Sequence, residues 1–375
     1  MIKQILICSD FLMTKESEQK SNLRWTSDLL MRPITKASGC IVKDFCSGFR
    51  GKNDIDRAKF FELSGLDFDP YKMHFFFDPK CITNLSLEYL KNSVYSAGEL
   101  MIGYELSEST RTILDAAGIS FIDIWLNPLR FMDDIYFSIR SNNSQINAFL
   151  AEFEPNEELF YMHADRLIVQ LYKGFRRGNF HPIENSALFV GQTLNDKAIY
   201  RNGTMLTVLD FKDQFSELYK NHRHVYYSRH PFVKEGDELI LSYIKSQRNA
   251  SIVNTPTYEL LARKEIKTVA TISSSVASEA HFFYKNCQFF FEPPIQIQKK
   301  CEKRYTTVSH DLFTSYFWSK ILTPLIKTEK CAPVSYDSKK DKIRDTLSFY
   351  WGYRDIDKLE SLKKTISTMR GISHV

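Results

Sequence analysis

The sequence has no C-x-x-C pair. Its seven cysteines (Cys8, Cys40, Cys46, Cys81, Cys287, Cys301 and Cys331) are odd in number and scattered over 375 residues. That spacing argues against a zinc site or a disulfide framework and for reduced thiols in a cytosolic chain. No window approaches the roughly 20 consecutive apolar residues of a membrane-spanning helix. The opening MIKQILICSDFLM carries an apolar stretch too short for a secretory signal and lacks a small-residue cleavage site. Neither G-x-x-x-x-G-K-S/T nor G-x-G-x-x-G occurs, so neither a P-loop nor the usual dinucleotide fold is supported. There is no internal repeat and no low-complexity tract. Charge is nearly balanced: 50 Lys and Arg against 45 Asp and Glu leave +5, too little for a nucleic-acid partner. That balance favours anionic substrates or an acidic membrane surface. The expectation is a cytoplasmic protein, at most peripheral on the inner face of the cytoplasmic membrane.

What is present is alternation. IKQILICSD, KMHFFFDP, ELMIGYELS and ISFIDIWLNP are short apolar runs ending in polar or proline turns, separated by helical patterns such as SNLRWTSDLLMRPI and ESTRTILDAAG. After a mostly helical stretch from Gln145 to Tyr172 comes KGFRRGNFHPIEN, a candidate linker. His181 lies in that linker and reads as structural. A second series follows: SALFVGQT, MLTVLDF, HVYYSRHP, ASIVNT, KTVATISSS and CQFFFEPP, with helical patterns between. Strand, turn and helix in alternation point to parallel sheets covered on both faces. The fold class expected is α/β, two facing Rossmann-like domains with carboxyl-terminal helices packing back across them. The boundaries read as 1–180 for an acceptor domain, 181–325 for a donor domain and 326–375 for a helical segment returning to the first.

In open α/β sheets ligands bind beyond the carboxyl ends of the strands, so the informative residues should follow the apolar runs. His230 does, and Pro231 pushes it into an extended backbone that holds the imidazole. Ser273, Ser274 and Ser275 follow KTVATI and precede a helix, where hydroxyls and free N–H groups suit a phosphate; plain N-capping is the alternative. In the first half Glu105 ends a strand before a Ser-x-x-Thr turn and is the candidate base for an acceptor hydroxyl, or else a capping or salt-bridged residue. Asp123 and Arg130 follow the next run; Arg130 suits a substrate carboxylate or one of its neighbours Asp133 and Asp134. Asp10, after the first run, is a further candidate. D-x-D occurs at Asp54–Asp56, Asp67–Asp69 and Asp355–Asp357, never closing an apolar strand, so no metal and no other cofactor is expected.

The His-Pro element followed by a serine-rich turn resembles the CMP-binding signature of bacterial sialyltransferases, which is shared by the retaining β-Kdo transferases of O-antigen and capsule synthesis. The second group is the closer likeness, because LFVGQTLNDKAI is similar to that family's strand ending in G/D-Q-T-x-x-D. The specific motifs lie between Leu188 and Glu279, while the layout matches over most of the chain. The resemblance implies a GT-B arrangement, CMP-Kdo as donor and a saccharide or glycolipid acceptor. It implies that Asp196 attacks the anomeric carbon to give a covalent adduct, with Gln192 orienting it or holding the sugar. It also implies that Glu259 binds ribose and that Ser315 approaches the phosphate. One departure is Ala198, where the family carries a small hydroxyl residue. The residues leave three other readings open: an inverting CMP-sialic acid transferase, a sugar-nucleotide epimerase or hydrolase, and a silent binding module in which Asp196 merely caps a turn.

Overall fold

The structure, a computed structural model, describes residues 2–50, 54–175, 180–194, 196–201, 204–298, 301, 303–335, 343–344 and 346–347, with backbone alone for 173–175. From the amino terminus run β1 (Gln4–Ser9), α1 (Glu16–Ser38), β2 (Ile41–Asp44), the short pair β3 (Ser47–Gly48) and β4 (Ile55–Asp56), α2 (Arg57–Leu63) and α3 (Asn84–Ala97). Then come β5 (Leu100–Tyr104), α4 (Glu108–Ala116), β6 (Phe121–Leu126), β7 (Phe137–Ser141), α5 (Ser144–Leu150) and α6 (Glu157–Phe175). The second series opens with β8 (Ser186–Val190), the ribbon β9 (Tyr200–Arg201) and β10 (Thr204–Met205), and α7 (Lys212–Asn221). It continues through β11 (His224–Ser228), α8 (Glu238–Ser246), β12 (Ala250–Val253), α9 (Thr257–Leu261), β13 (Ile266–Thr271), α10 (Ser275–Phe282) and β14 (Asn286–Phe289). Last are β15 (Thr306–Val308) and α11 (Ser315–Ile321).

Two compact units result. The first takes in Met1–Asn127, Ile135–Pro155 and Ile295–Trp351, and the second Pro128–Asp134 and Asn156–Pro294. The cuts differ from those read at 180 and 325, for packing reasons. Phe160 and Tyr161 of α6 lie edge-on to Phe282 of α10, at 5.4 and 5.1 Å, so that helix belongs with the second unit. From Ile295 the chain belongs to the first, where the Glu329 N–H donates to the Ala37 carbonyl at 2.8 Å. Most of 336–375, including the Asp355–Asp357 pair and the greater part of the aromatic tail, lies outside the described residues.

The α/β class is as expected. In the first unit six strands lie in the order β15-β7-β6-β5-β1-β2. β2, β1, β5 and β6 are parallel, and β7 and β15 form an antiparallel edge. The second unit has five parallel strands, β12-β11-β8-β13-β14. β1, β5, β6 and β8 are buried almost throughout, which is why they read as unbroken apolar runs.

Two expected strands are something else. KMHFFFDP makes only an isolated bridge, Thr14 with His74, because Phe75 and Phe77 turn onto Phe61 at 4.6 and 5.0 Å. MLTVLDF begins as β10 and then breaks at a capping box: the Thr207 N–H donates to Asp210 Oδ2 at 2.7 Å and Thr207 Oγ1 accepts from the Leu209 N–H. That local bonding favours a 3-10 turn over Val208–Phe211.

Candidate functional site

In the second unit β8 is followed in the chain by β11 on one side, and β13 is added later on the other, so the strand order reverses between β8 and β13. Such a switch point opens a crevice at the carboxyl ends of the two strands. The side chains placed there are Gln192, just past β8, and Ser273, just past β13. They bond to each other. Gln192 Oε1 accepts from the Ser273 N–H at 2.7 Å, and Gln192 Nε2 donates to Ser273 Oγ at 3.1 Å. The Ser273 hydroxyl in turn donates to the Ala198 carbonyl at 2.7 Å.

Ala198 belongs to the turn that carries Asp196. Asp196 Oδ1 accepts from the Ala198 N–H at 2.9 Å, making the aspartate the cap of a 3-10 turn, Lys197–Ile199. The capping role and a reactive role are compatible, since the other oxygen has no partner among the described residues and the residue is half-buried. A relay of short bonds therefore runs from β8 through Gln192 and Ser273 to the Asp196 turn. Gly191 lets the neighbouring strand end close in: its N–H donates to the Ser228 carbonyl at 2.9 Å, and a Cβ there would lie 2.7 Å from the Tyr227 hydroxyl.

His230 lies past β11, the strand next to β8. The Phe232 N–H donates to its Nδ1 at 3.2 Å, which fixes the neutral tautomer with the proton on Nε2. Pro231 is exposed in the turn. The loop is held by an anchor that the sequence reading missed: Arg229 Nε and Nη2 both donate to Asp237 at 2.7 Å, a two-pronged pair with the carboxylate 3% exposed. A cation beside His-Pro and an acid just after Gly236 was the available signal. Ser274 caps α10 by accepting from the Val276 N–H at 3.4 Å. Ser275 opens that helix, half-buried, its hydroxyl without a partner among the described residues.

Three expected ligand contacts are otherwise engaged or lie in the other unit. Ser273 is 3% exposed with its hydroxyl committed on both sides, so it positions the turn instead of facing a ligand. Glu259, also 3% exposed, accepts from Arg263 Nη2 at 3.0 Å one helical turn away, which occupies the carboxylate expected on ribose. Ser315 belongs to the first unit, where it lines a cavity with Arg32 and His310. Arg130 is half-buried in a segment of the second unit whose Phe131 ring lies 5.4 Å from Phe283. Of its suggested partners, Asp133 is paired with Arg166.

The first unit has its own switch point, between β1 and β5. Asp10, past β1, is 2% exposed; it accepts from the Ser107 N–H at 2.9 Å and the Thr110 hydroxyl at 2.6 Å and so clamps the start of α4. Glu105, past β5, is half-buried in the left-handed region at φ 52°, with Oε1 accepting from the Tyr104 hydroxyl at 2.9 Å. Such a backbone costs about 1 kcal/mol or more in a non-glycine residue and concentrates at functional sites. Asp123 is not a strand-end residue. It lies within β6, fully buried, and binds Arg111 at 3.0 Å, Trp125 Nε1 at 2.8 Å and the Tyr305 hydroxyl at 2.6 Å. Burial pushes its carboxyl up, against the pull of Arg111 and the hydrogen bonds.

No protein-family model and no curated protein sequence matches the chain. Solved structures do. KpsC of Thermosulfurimonas dismutans is matched as a β-Kdo 2,7 transferase at 13% identity over 63% of this chain and 80% of that one, TM-score 0.32. The same organism's KpsC β-Kdo 2,4 transferase matches at 15% identity over 59% and 79%, TM-score 0.30. The UDP-GlcNAc 2-epimerase of Methanocaldococcus jannaschii matches at 13% over 92% and 99%, TM-score 0.27.

Proposed function

We propose that the chain is a GT-B-type retaining glycosyltransferase that moves Kdo from CMP-Kdo to a saccharide or glycolipid acceptor in the synthesis of a bacterial surface polysaccharide. The observation that supports it is the bonded relay Gln192–Ser273–Ala198–Asp196 at the switch point of the second unit. It sets one carboxylate, with an oxygen to spare, at the strand ends where a ligand binds. The phosphate of CMP is met by the Nε2–H of His230 and by the hydroxyl and backbone N–H of Ser275 at the start of α10. One phosphate handled in this way calls for no divalent metal and no cofactor.

In the first step the free oxygen of Asp196 attacks the anomeric carbon. The bond from that carbon to the CMP phosphate oxygen breaks, and CMP leaves with the electron pair, eased by the donors around its phosphate. In the second step a base takes the proton of the acceptor hydroxyl, whose oxygen attacks the same carbon and expels the Asp196 carboxylate. Two inversions give retention. Titration calorimetry with CMP, CDP and UDP tests the donor assignment: CMP should bind most tightly. Preference for UDP would remove the donor reading and favour a UDP-sugar epimerase instead.

A further inference from the structure

A cavity of about 560 Å³ in the first unit plays no part in the proposed transfer. It lies between the second half of α1 (Leu29, Arg32, Pro33, Lys36) and the chain around α11 (His310, Phe313, Ser315), with Val334 and Ile343 completing the apolar wall. α1 leaves the carboxyl end of β1 and runs back along the sheet, so these residues lie at the opposite end of the unit from Asp10 and Glu105. Its volume is in the range that holds a drug-sized ligand. The lining is divided by polarity. Leu29, Pro33, Phe313, Val334 and Ile343 are apolar, and Val334 remains 56% exposed, which leaves an uncovered apolar rim.

On one side of that rim stand Arg32 and Lys36, one helical turn apart and exposed. Neither has a hydrogen-bond or ion-pair partner among the described residues. No described lining residue is acidic. Two cations with no acidic partner among the described residues, set over an apolar chamber, match one kind of occupant: a hydrocarbon chain with an anionic head. We infer that this cavity binds a single-chain lipid through its phosphate head, the chain lying against Leu29, Phe313 and Ile343 and the phosphate meeting Arg32 and Lys36. The Ser315 hydroxyl is in reach of the same chamber as a head-group donor. The site is independent of the transfer chemistry, and it would bring the first unit to a membrane surface without any spanning segment.

Calorimetry with the full chain and dodecyl phosphate, kept below its micelle concentration, tests this. Saturable binding is expected, at least tenfold tighter than to inorganic phosphate or to a neutral dodecyl glycoside. The double substitution Arg32→Glu with Lys36→Glu, at exposed positions, should weaken binding tenfold or more. Leu29→Trp should weaken it by filling the chamber. Absence of binding, equal affinity for the neutral glycoside or for inorganic phosphate, or full affinity in the charge-reversed protein would overturn the inference. CMP binding, measured in the same samples, should not change with either variant, which separates this site from the donor site.

Discussion

Ser273→Ala separates a positioning serine from a ligand-facing one. The Ser273 hydroxyl donates to the Ala198 carbonyl at 2.7 Å and accepts from Gln192 Nε2 at 3.1 Å, in a residue 3% exposed. Alanine removes both bonds and leaves a carbonyl and an amide N–H without a partner. Each such group costs about 1–3 kcal/mol when buried. Gln192 and Ala198 are only half-buried, so water recovers part of the loss and about 2 kcal/mol remains. That is a change of roughly 30-fold in the unfolding equilibrium. Trp25, Trp125 and Trp318 all belong to the first unit, so tryptophan fluorescence is a poor probe here. Urea unfolding followed by hydrogen exchange on peptides of β8 and β13 reads the second unit directly. Ser275→Ala should behave oppositely, with stability within about 0.5 kcal/mol of wild type and CMP affinity down roughly tenfold, as befits one bond to a charged phosphate. A Ser273→Ala protein as stable as wild type would refute the relay, as would a Ser275→Ala protein that loses stability and keeps its CMP affinity.

Gly191→Ala places a Cβ 2.7 Å from the Tyr227 hydroxyl and 3.3 Å from the Ser228 carbonyl, and overpacking of this kind costs about 1–3 kcal/mol, to be read as a lowered melting temperature. Asp123→Asn leaves the Arg111 guanidinium buried without its counter-charge and should cost about 3 kcal/mol; here fluorescence is suitable, because Trp125 bonds to Asp123. Burial, and secondarily Lys267, brings the Lys285 ammonium down from 10.5 to about 8. Between pH 8 and about 10.4 the unfolded chain then binds the extra proton, so this residue raises stability with pH by up to about 3 kcal/mol across that window, and its penalty is fully present below pH 8. Lys285→Met should flatten that part of the stability profile; an unchanged slope would contradict the assignment.

The strands buried on both faces were legible, because a parallel sheet requires an unbroken apolar run there, and the partly exposed parallel edges β12 and β14 were legible too, as ASIVNT and CQFFFEPP. β7 and β15 escaped notice because they form the antiparallel edge of their sheet and, as FSIRS and TTV, carry polar residues among the apolar ones. KMHFFFDP has a strand's composition, but an aromatic cluster uses its rings without a ladder. At the candidate site the residue types at the strand ends were readable, since β8 and β13 end where the sequence turns polar. Which hydroxyl faces inward was not: Ser273 and Ser275 are equivalent in a string of three serines, and the difference arises from Gln192, 81 residues away in the chain. The Glu259–Arg263 pair, by contrast, was visible as an i, i+4 spacing. The division of units could not be read because α6 is assigned by rings of α10 more than a hundred residues later.

Asp196→Asn keeps an oxygen able to accept from the Ala198 N–H, so the cap survives while the nucleophile is lost. Intact-mass spectrometry after incubation with CMP-Kdo, on wild type and on this variant, therefore tests the covalent step most directly. Wild type should gain the mass of one Kdo residue, mapped by peptide digestion to Asp196, and the variant should gain none. Transfer to acceptor at the wild-type rate by the variant, or an adduct that persists in it, would contradict the assignment of Asp196.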